Sequence, residues 1–117
     1  MNSGRYVILL HESHRDDHWD FMLENGDILT TWAMTPQLST DSFTCHVESL
    51  PDHRRAYLEY EGPVSHNRGT VRRIDEGIFE IMTPNSYRLT GRLLTGILII
   101  ETSDDSENRT VFHFTSF

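Results

Sequence analysis

Residues 18–34 read HWDFMLENGDILTTWAM, and this stretch predicts two β-strands joined by a tight turn. In its first half, large apolar residues alternate with mostly polar ones, which is the period-two pattern of a half-buried strand. Asn25 and Gly26 follow directly, and this dipeptide is a strong signal for a two-residue hairpin turn. Residues 27–34 then provide a second strand, so the stretch predicts an antiparallel hairpin.

The same strand-like pattern continues through the rest of the chain, and no window of helical length has a convincing i, i+3, i+4 repeat. The tripeptide at 75–77, Asp-Glu-Gly, predicts a second hairpin turn, and residues 103–108 predict a polar loop. The predicted strands are residues 5–11, 18–24, 27–34, 42–48, 54–60, 70–74, 78–83, 87–90, 93–101 and 110–115.

Short strands separated by frequent turns are typical of a β-sandwich or a β-barrel. A closed barrel also removes the exposed strand edges that a small protein must otherwise protect. We therefore predict an all-β fold, namely a compact and mostly antiparallel barrel of about seven to nine short strands with little helix. The length of 117 residues suits a single domain that covers residues 1–117.

Composition and charge restrict the classes of function. The formal net charge of −8 argues against broad electrostatic binding to nucleic acid, but it is compatible with a small site in which a cation and a few arginines hold one phosphate. No apolar run approaches the roughly 20 residues that a membrane helix needs, so no membrane contact is expected. Cys45 is the only cysteine, which excludes an internal disulfide and favours a reducing, cytoplasmic setting.

Two histidines and one aspartate form a candidate metal site. On the strand 18–24, His18 and Asp20 share the face opposite the large apolar side chains. His11 ends the preceding strand, and antiparallel pairing would bring it close to His18. Two imidazoles and one carboxylate suit Mn²⁺, Fe²⁺ or Zn²⁺, with further positions open for water or substrate. Residues 14–17 are interpreted as a solvated spacer, with an extra ligand set of His14, Asp16 and Asp17 as the less favoured alternative. A purely structural role without a metal stays open.

Several segments resemble, in order, the phosphoesterase module of bacterial DNA ligase D and its minimal, stand-alone relatives. The set covers roughly residues 5–115, and the order of its members is more specific than any one of them. The matching segments are RYVILLH, HWDFMLE, GDILTTWAM, DHRRAYLEYEG, GTVRRIDEG and YRLTGRLLTGILIIE.

This resemblance implies a β-barrel enzyme that uses manganese to process the 3′ ends of DNA or of RNA-primed DNA in repair. Such enzymes remove a terminal ribonucleoside and then the remaining 3′-phosphate, and a repair ligase or polymerase is the implied partner. The family's metal ligands carry over onto His11, His18 and Asp20. Its second catalytic histidine carries over onto His53, and its following tyrosine matches Tyr57.

The chain also departs from the family pattern. Met22 stands where the family has a phosphate-binding arginine, and Pro51 replaces an acidic residue two positions before His53. Methionine supplies neither charge nor a pair of hydrogen-bond donors. The spacer between the first two histidines is one residue longer than usual. The candidate replacements for the missing arginine are Arg54, Arg55, Arg68 and Arg72.

Two functions therefore remain open at the level of sequence. One is a metal-dependent phosphoesterase that acts on a nucleic-acid 3′ end or a small phosphate ester, with Mn²⁺ as the expected metal and Zn²⁺ or another divalent transition metal as alternatives. The other is a degenerate barrel that binds a metal without catalysis and serves as a binding module in a repair or ligase assembly.

Overall fold

The hairpin predicted at residues 18–34 forms part of the barrel wall. The computed structural model describes residues 2–103 and 109–117. In it, β2 (Asp17–Asn25) and β3 (Ile28–Met34) pair as antiparallel neighbours. The turn between them depends on Gly26, whose φ of 63° is favourable only for glycine and a few polar residues. The predicted hairpin is therefore present with its turn in the predicted place.

The described residues contain nine strands and one short helical element, a 3₁₀ turn. The remaining elements are β1 (Ser3–Glu12), β4 (Ser42–Arg54), the 3₁₀ turn (Arg55–Leu58), β5 (Gly62–Pro63), β6 (Thr70–Thr83), β7 (Ser86–Gly91), β8 (Thr95–Thr102) and β9 (Thr110–Ser116).

Eight of these strands close into an antiparallel barrel. Their order around the ring is β1-β2-β3-β4-β9-β8-β7-β6, and β1 also pairs with β6, which closes the ring. The two-residue β5 pairs with β6 outside it. The prediction of an all-β, mostly antiparallel barrel is confirmed. The closed ring leaves none of its eight strands with a free edge, so a chain of this size needs no other protection against edge-to-edge pairing of these strands.

The interior of the barrel is filled by one aromatic-rich cluster. Phe21 lies near its centre, with ring centroids 5.7 Å from Tyr6 and 5.3 Å from Phe112. The predicted core face of β2 is confirmed, because Trp19, Phe21 and Leu23 all belong to this cluster. Its remaining buried members are Ile8, Met34, Phe79, Leu89, Leu94, Leu98 and Phe114.

A second apolar cluster lies on the outside of the barrel, over the opposite face of β1 and β2. The 3₁₀ turn contributes Leu58, and the chain after it covers this part of the wall. Met22 belongs to this cluster and is 1% exposed. The buried members of the outer cluster are Val7, Leu9, Met22, Leu29, Leu58 and Val71. Both faces of β2 are thus buried at its centre, although the sequence suggested one polar face.

Three local predictions need correction. Residues 54–60 were predicted as a strand, but β4 ends at Arg54 and the 3₁₀ turn follows, because Leu58 must reach the outer cluster. The tripeptide 75–77 is not a turn, since β6 runs through it with a register shift opposite Ile8 and Leu9. β4 and β6, with 13 and 14 residues, are not short. Of the predicted loop 103–108, residues 104–108 lie outside the described residues.

No helix among the described residues is long and apolar enough to cross a membrane.

Candidate functional site

The register between β1 and β2 brings the three candidate metal ligands together on the outer wall. His11 lies directly opposite His18, and Leu9 lies opposite Asp20. His18 and Asp20 are therefore both close to His11. His18 Nε2 is 2.9 Å from Asp20 Oδ1, and His11 Nδ1 is 3.4 Å from Asp20 Oδ2. One ligand atom from each residue lies within 4.8 Å of the other two.

This donor set fits a divalent transition metal. The Asp20 side chain is 3% exposed, and the contacts that face its two oxygens come from the imidazoles of His11 and His18. A buried carboxylate needs a cationic partner or hydrogen-bond donors, and two neutral imidazoles with one carboxylate are the usual ligands of Zn²⁺, Mn²⁺ and Fe²⁺. The three side chains supply only part of a coordination shell, so water or substrate has positions left to occupy.

His53 lies at the end of β4 and has a fixed orientation. Its Nδ1 is 2.9 Å from the carbonyl oxygen of Pro51. Because a carbonyl only accepts, Nδ1 carries a hydrogen, and Nε2 is the nitrogen left for proton transfer. The ring packs edge-on against Tyr57, with 5.6 Å between centroids. Pro51, which replaces an acidic residue of the family pattern, therefore orients His53 through its backbone carbonyl.

A cavity of about 320 Å³ joins the metal-ligand cluster to His53, and we call it the arginine cavity. Met22 is in its wall, and the arginines that line it are Arg54 and Arg68. The full lining is His11, Asp20, Met22, Leu50, Pro51, Asp52, His53, Arg54, Tyr57, Val64, Arg68 and Val71. The arrangement places two histidines, a tyrosine and two arginines around one space.

The predicted phosphate-binding arginines differ in their surroundings. The side chain of Arg54 makes no hydrogen bond or ion pair within residues 2–103 and 109–117, so its guanidinium is free to bind a ligand. Arg68 donates from Nε and Nη2 to the carbonyl and hydroxyl of Ser65, at 2.8 and 3.1 Å. Arg72 is absent from the lining of the cavity, because it follows Val71 on β6 and neighbouring strand residues face opposite sides.

A larger groove of about 610 Å³ lies on the other side of the metal-ligand cluster. It shares His11, Asp20, Leu50 and His53 with the arginine cavity. The lining of this acidic groove contains no arginine or lysine, and its other polar residues are Asp16, Asp17, His18, Thr35, His46 and Glu48. Neither His46 nor Glu48 was among the site residues predicted from the sequence. Their i, i+2 spacing on β4 was the available signal.

Comparison with known proteins identifies the family. Residues 10–112, which are nearly the whole chain, match the family model described as DNA Ligase D 3′-phosphoesterase domain. No curated protein matches the sequence. A family match of this extent supports a phosphoesterase-related role. The chain belongs to the family of DNA ligase D 3′-phosphoesterase domains.

Proposed function

We propose that the chain is a metal-dependent phosphoesterase that processes the 3′ ends of DNA or of RNA-primed DNA in repair. The observation that carries this proposal is the convergence of His11, His18 and Asp20, with ligand atoms within 4.8 Å, at the wall of a cavity that also contains His53. A phosphate at this position would touch both a metal and a proton donor. The family match supports a nucleic-acid 3′ end as the substrate.

Each side chain has a distinct task in this proposal. When bound, a divalent ion supplies Lewis-acid polarisation of the phosphoryl group, with Mn²⁺ as the first choice and Zn²⁺ or another divalent transition metal as alternatives. In its imidazolium form, His53 donates a proton from Nε2 to the leaving oxygen, since its Nδ1–H is bound to the Pro51 carbonyl. Tyr57 orients the phosphate through its hydroxyl, which has no hydrogen-bond partner among residues 2–103 and 109–117.

Arg54 takes the place of the family arginine. Position 22 holds a methionine that is buried in the outer cluster, so the phosphate must find its cation elsewhere in the cavity wall. Arg54 is next to His53 in the chain and has no competing partner within the described ranges, whereas Arg68 is tied to Ser65. Arg68 is the second cation of the cavity, and the placement of Arg72 gives no support for a role of that residue.

The direct test is an end-processing assay with a 3′-phosphorylated DNA primer and a primer that ends in one ribonucleotide, both with added Mn²⁺. We expect release of phosphate from the first and shortening of the second. Asp20→Ala is expected to lose this activity, and Glu80→Ala, an exposed carboxylate on β6, is the matched control. Equal turnover by wild type and Asp20→Ala would contradict the proposal.

A second candidate function is a metal-binding module without catalysis that contacts a repair ligase or polymerase. The observation in its favour is Met22, because methionine removes a charged group that the family pattern places on this strand. Calorimetry with Mn²⁺ separates the two functions. A binding module would retain the metal while every phosphate substrate stays intact, whereas cleavage that depends on Asp20 would exclude it.

The cellular setting is part of the proposal. A single cysteine, Cys45, supports a reducing cytoplasm, where DNA repair takes place in bacteria. We treat residues 1–117 as one functional domain.

A further inference from the structure

We propose that the turn at residues 65–69 is a positioning element for the metal ligand His11, acting through the backbone carbonyl of Arg68. This inference rests on the metal site of the proposed function and adds a residue that sequence motifs do not reveal. The turn is separate from β1 in sequence, since Arg68 and His11 are 57 positions apart. It reaches the site because β5 and β6 form a hairpin on the outer wall.

The contact determines which nitrogen of His11 is free. His11 Nε2 lies 2.6 Å from the carbonyl oxygen of Arg68. A carbonyl oxygen cannot donate, so Nε2 must carry the hydrogen. The lone pair is then on Nδ1, which is the nitrogen that faces Asp20 Oδ2 at 3.4 Å. A hydrogen bond from the second ring nitrogen is the usual way in which proteins orient a metal-binding histidine.

The backbone of the turn is held tightly against β1. Gly69 has a φ of 93°, and a Cβ built there would lie 1.9 Å from the carbonyl oxygen of Glu12 and 3.0 Å from Cα of Ser13. The amide of Val64 donates to the carbonyl of Gly69 at 2.8 Å, which closes the turn. Any side chain at position 69 must therefore move the turn away from the end of β1, and the Arg68 carbonyl with it.

The two halves of Arg68 have different tasks. Its carbonyl contacts His11, while its guanidinium is fixed on Ser65 and lines the arginine cavity. The two contacts with Ser65 also help to hold the turn. The backbone contribution is therefore tested by substitutions at Gly69 and Asn67, which leave the Arg68 side chain unchanged.

The test measures Mn²⁺ affinity by calorimetry in three variants of the full chain. Gly69→Ala is expected to weaken binding by about 10- to 100-fold, the usual effect of removing an outer partner of a metal ligand. Asn67→Gly should stay within about twofold of wild type, because it keeps the carbonyl; the φ of Asn67 is 56°, which glycine adopts freely. Gly26→Ala is the control for strain, since its φ is 63° and no atom lies within 4 Å of the added Cβ.

Nitrogen-15 NMR of the histidine rings in metal-free protein gives a second and independent measurement. We expect His11 in wild type to carry its hydrogen on Nε2, and to lose this single tautomer in Gly69→Ala. A neutral His11 ring that carries its hydrogen on Nδ1 in wild type overturns the inference, as does wild-type Mn²⁺ affinity in a folded Gly69→Ala protein. If wild type binds no Mn²⁺, the proposed function fails, and the tautomer alone decides whether the turn positions His11.

Discussion

Asp20 shows what a short motif can and cannot reveal about a site. The period of a strand places His18 and Asp20 on one face, and an antiparallel partner adds His11, so the three-residue cluster was predictable. The hydrogen-bond partner of His11 was not predictable, because it is the backbone carbonyl of Arg68, which is 57 positions away. The carbonyl that orients His53 belongs to Pro51 and is equally invisible, since any residue has a carbonyl. Side chains can be predicted from the sequence more readily than backbone ligands.

Arg54 and Arg55 are neighbours in sequence and provide a matched pair of mutations. Arg54→Ala is expected to weaken binding of a 3′-phosphorylated primer by about 10- to 100-fold, because a hydrogen bond to a charged group contributes about 1.5–3 kcal/mol. Arg54 lines the arginine cavity, whereas Arg55 binds Glu24 and the carbonyl of Gly26. Fluorescence anisotropy with labelled primer in the presence of Mn²⁺ is the measurement.

Arg55→Ala is the control in that experiment, since it removes the same charge from the next residue. It should lower the melting temperature by breaking its contact with Glu24, and it should leave primer affinity nearly unchanged. A similar loss of affinity in both variants would mean that the effect is one of net charge, and Arg54 would then have no specific contact with the phosphate.

At the scale of whole elements, β6 explains why one turn prediction was wrong. Asp-Glu-Gly is common in turns, but here Asp75 is 1% exposed and accepts hydrogen bonds from the backbone amides of Leu93 and Leu94, at 2.7 and 3.1 Å. Gly77 is required for a different reason. A Cβ there would lie 2.2 Å from the carbonyl oxygen of Thr90 on the neighbouring strand. Asp75 and Gly77 are both required by tertiary contacts, and such contacts cannot be predicted from the local sequence.

The prediction of a strand at 54–60 failed in a similar way. The alternation of this segment is compatible with a strand, and only the barrel wall beneath it decides otherwise. Leu58 packs on the outer cluster, and Tyr57 lies beside it. The hairpin at 18–34 was predictable because its signal is local, namely alternation followed by Asn25 and Gly26.

The hydrogen bond from Tyr6 to Asp75 links β1 to β6 inside the barrel and yields a stability prediction. The hydroxyl of Tyr6 donates to Asp75 Oδ2 at 2.6 Å, and the ring is 1% exposed. Tyr6→Phe is expected to lower the free energy of unfolding at pH 7 by about 1.5–3 kcal/mol, the range for a hydrogen bond to a charged group. Urea denaturation is the measurement, and Tyr87→Phe on β7, a less buried position, is the control.

The hydrogen bond between Tyr6 and Asp75 also predicts how the free energy of unfolding depends on pH. Burial first, and then the hydrogen bond and negative charge of Asp75, raise the pKa of Tyr6 far above its usual value of 10.0. The unfolded chain therefore releases this proton near pH 10 while the folded protein keeps it, so the stability of wild type must fall as the pH rises above that point. Tyr6→Phe should lack this part of the slope. Burial raises the pKa of Cys45 to about 11, but this contribution is common to both proteins and cancels. Parallel slopes from pH 8 to 11 would contradict the account.

For the molecule as a whole, the closed barrel places the site on its outer wall, where one side contains two arginines and the other side is lined by no arginine or lysine. The net charge is −8, and the arginine cavity contains two arginines. Each phosphate that a protein neutralises on single-stranded nucleic acid contributes about −0.7 to the slope of log affinity against log salt concentration. We therefore expect a slope of about −1 to −2 for a 3′-phosphorylated primer.

The salt titration should also give nearly the same slope for short and long primers, because the acidic groove offers no lysine or arginine to further phosphates. Anisotropy titrations between low and moderate salt concentration test both points. A slope that steepens with primer length would show that the protein follows the nucleic-acid backbone over several phosphates, in conflict with a site that reads only the terminus.

The central claim is that His11, His18 and Asp20 together hold a divalent metal next to His53. The most direct measurement is an anomalous difference map from crystals grown with Mn²⁺, recorded near the manganese absorption edge. The account predicts one strong peak within coordinating distance of ligand atoms from all three residues in wild type, and no such peak in Asp20→Ala. A wild-type map with no peak among these three side chains would contradict it.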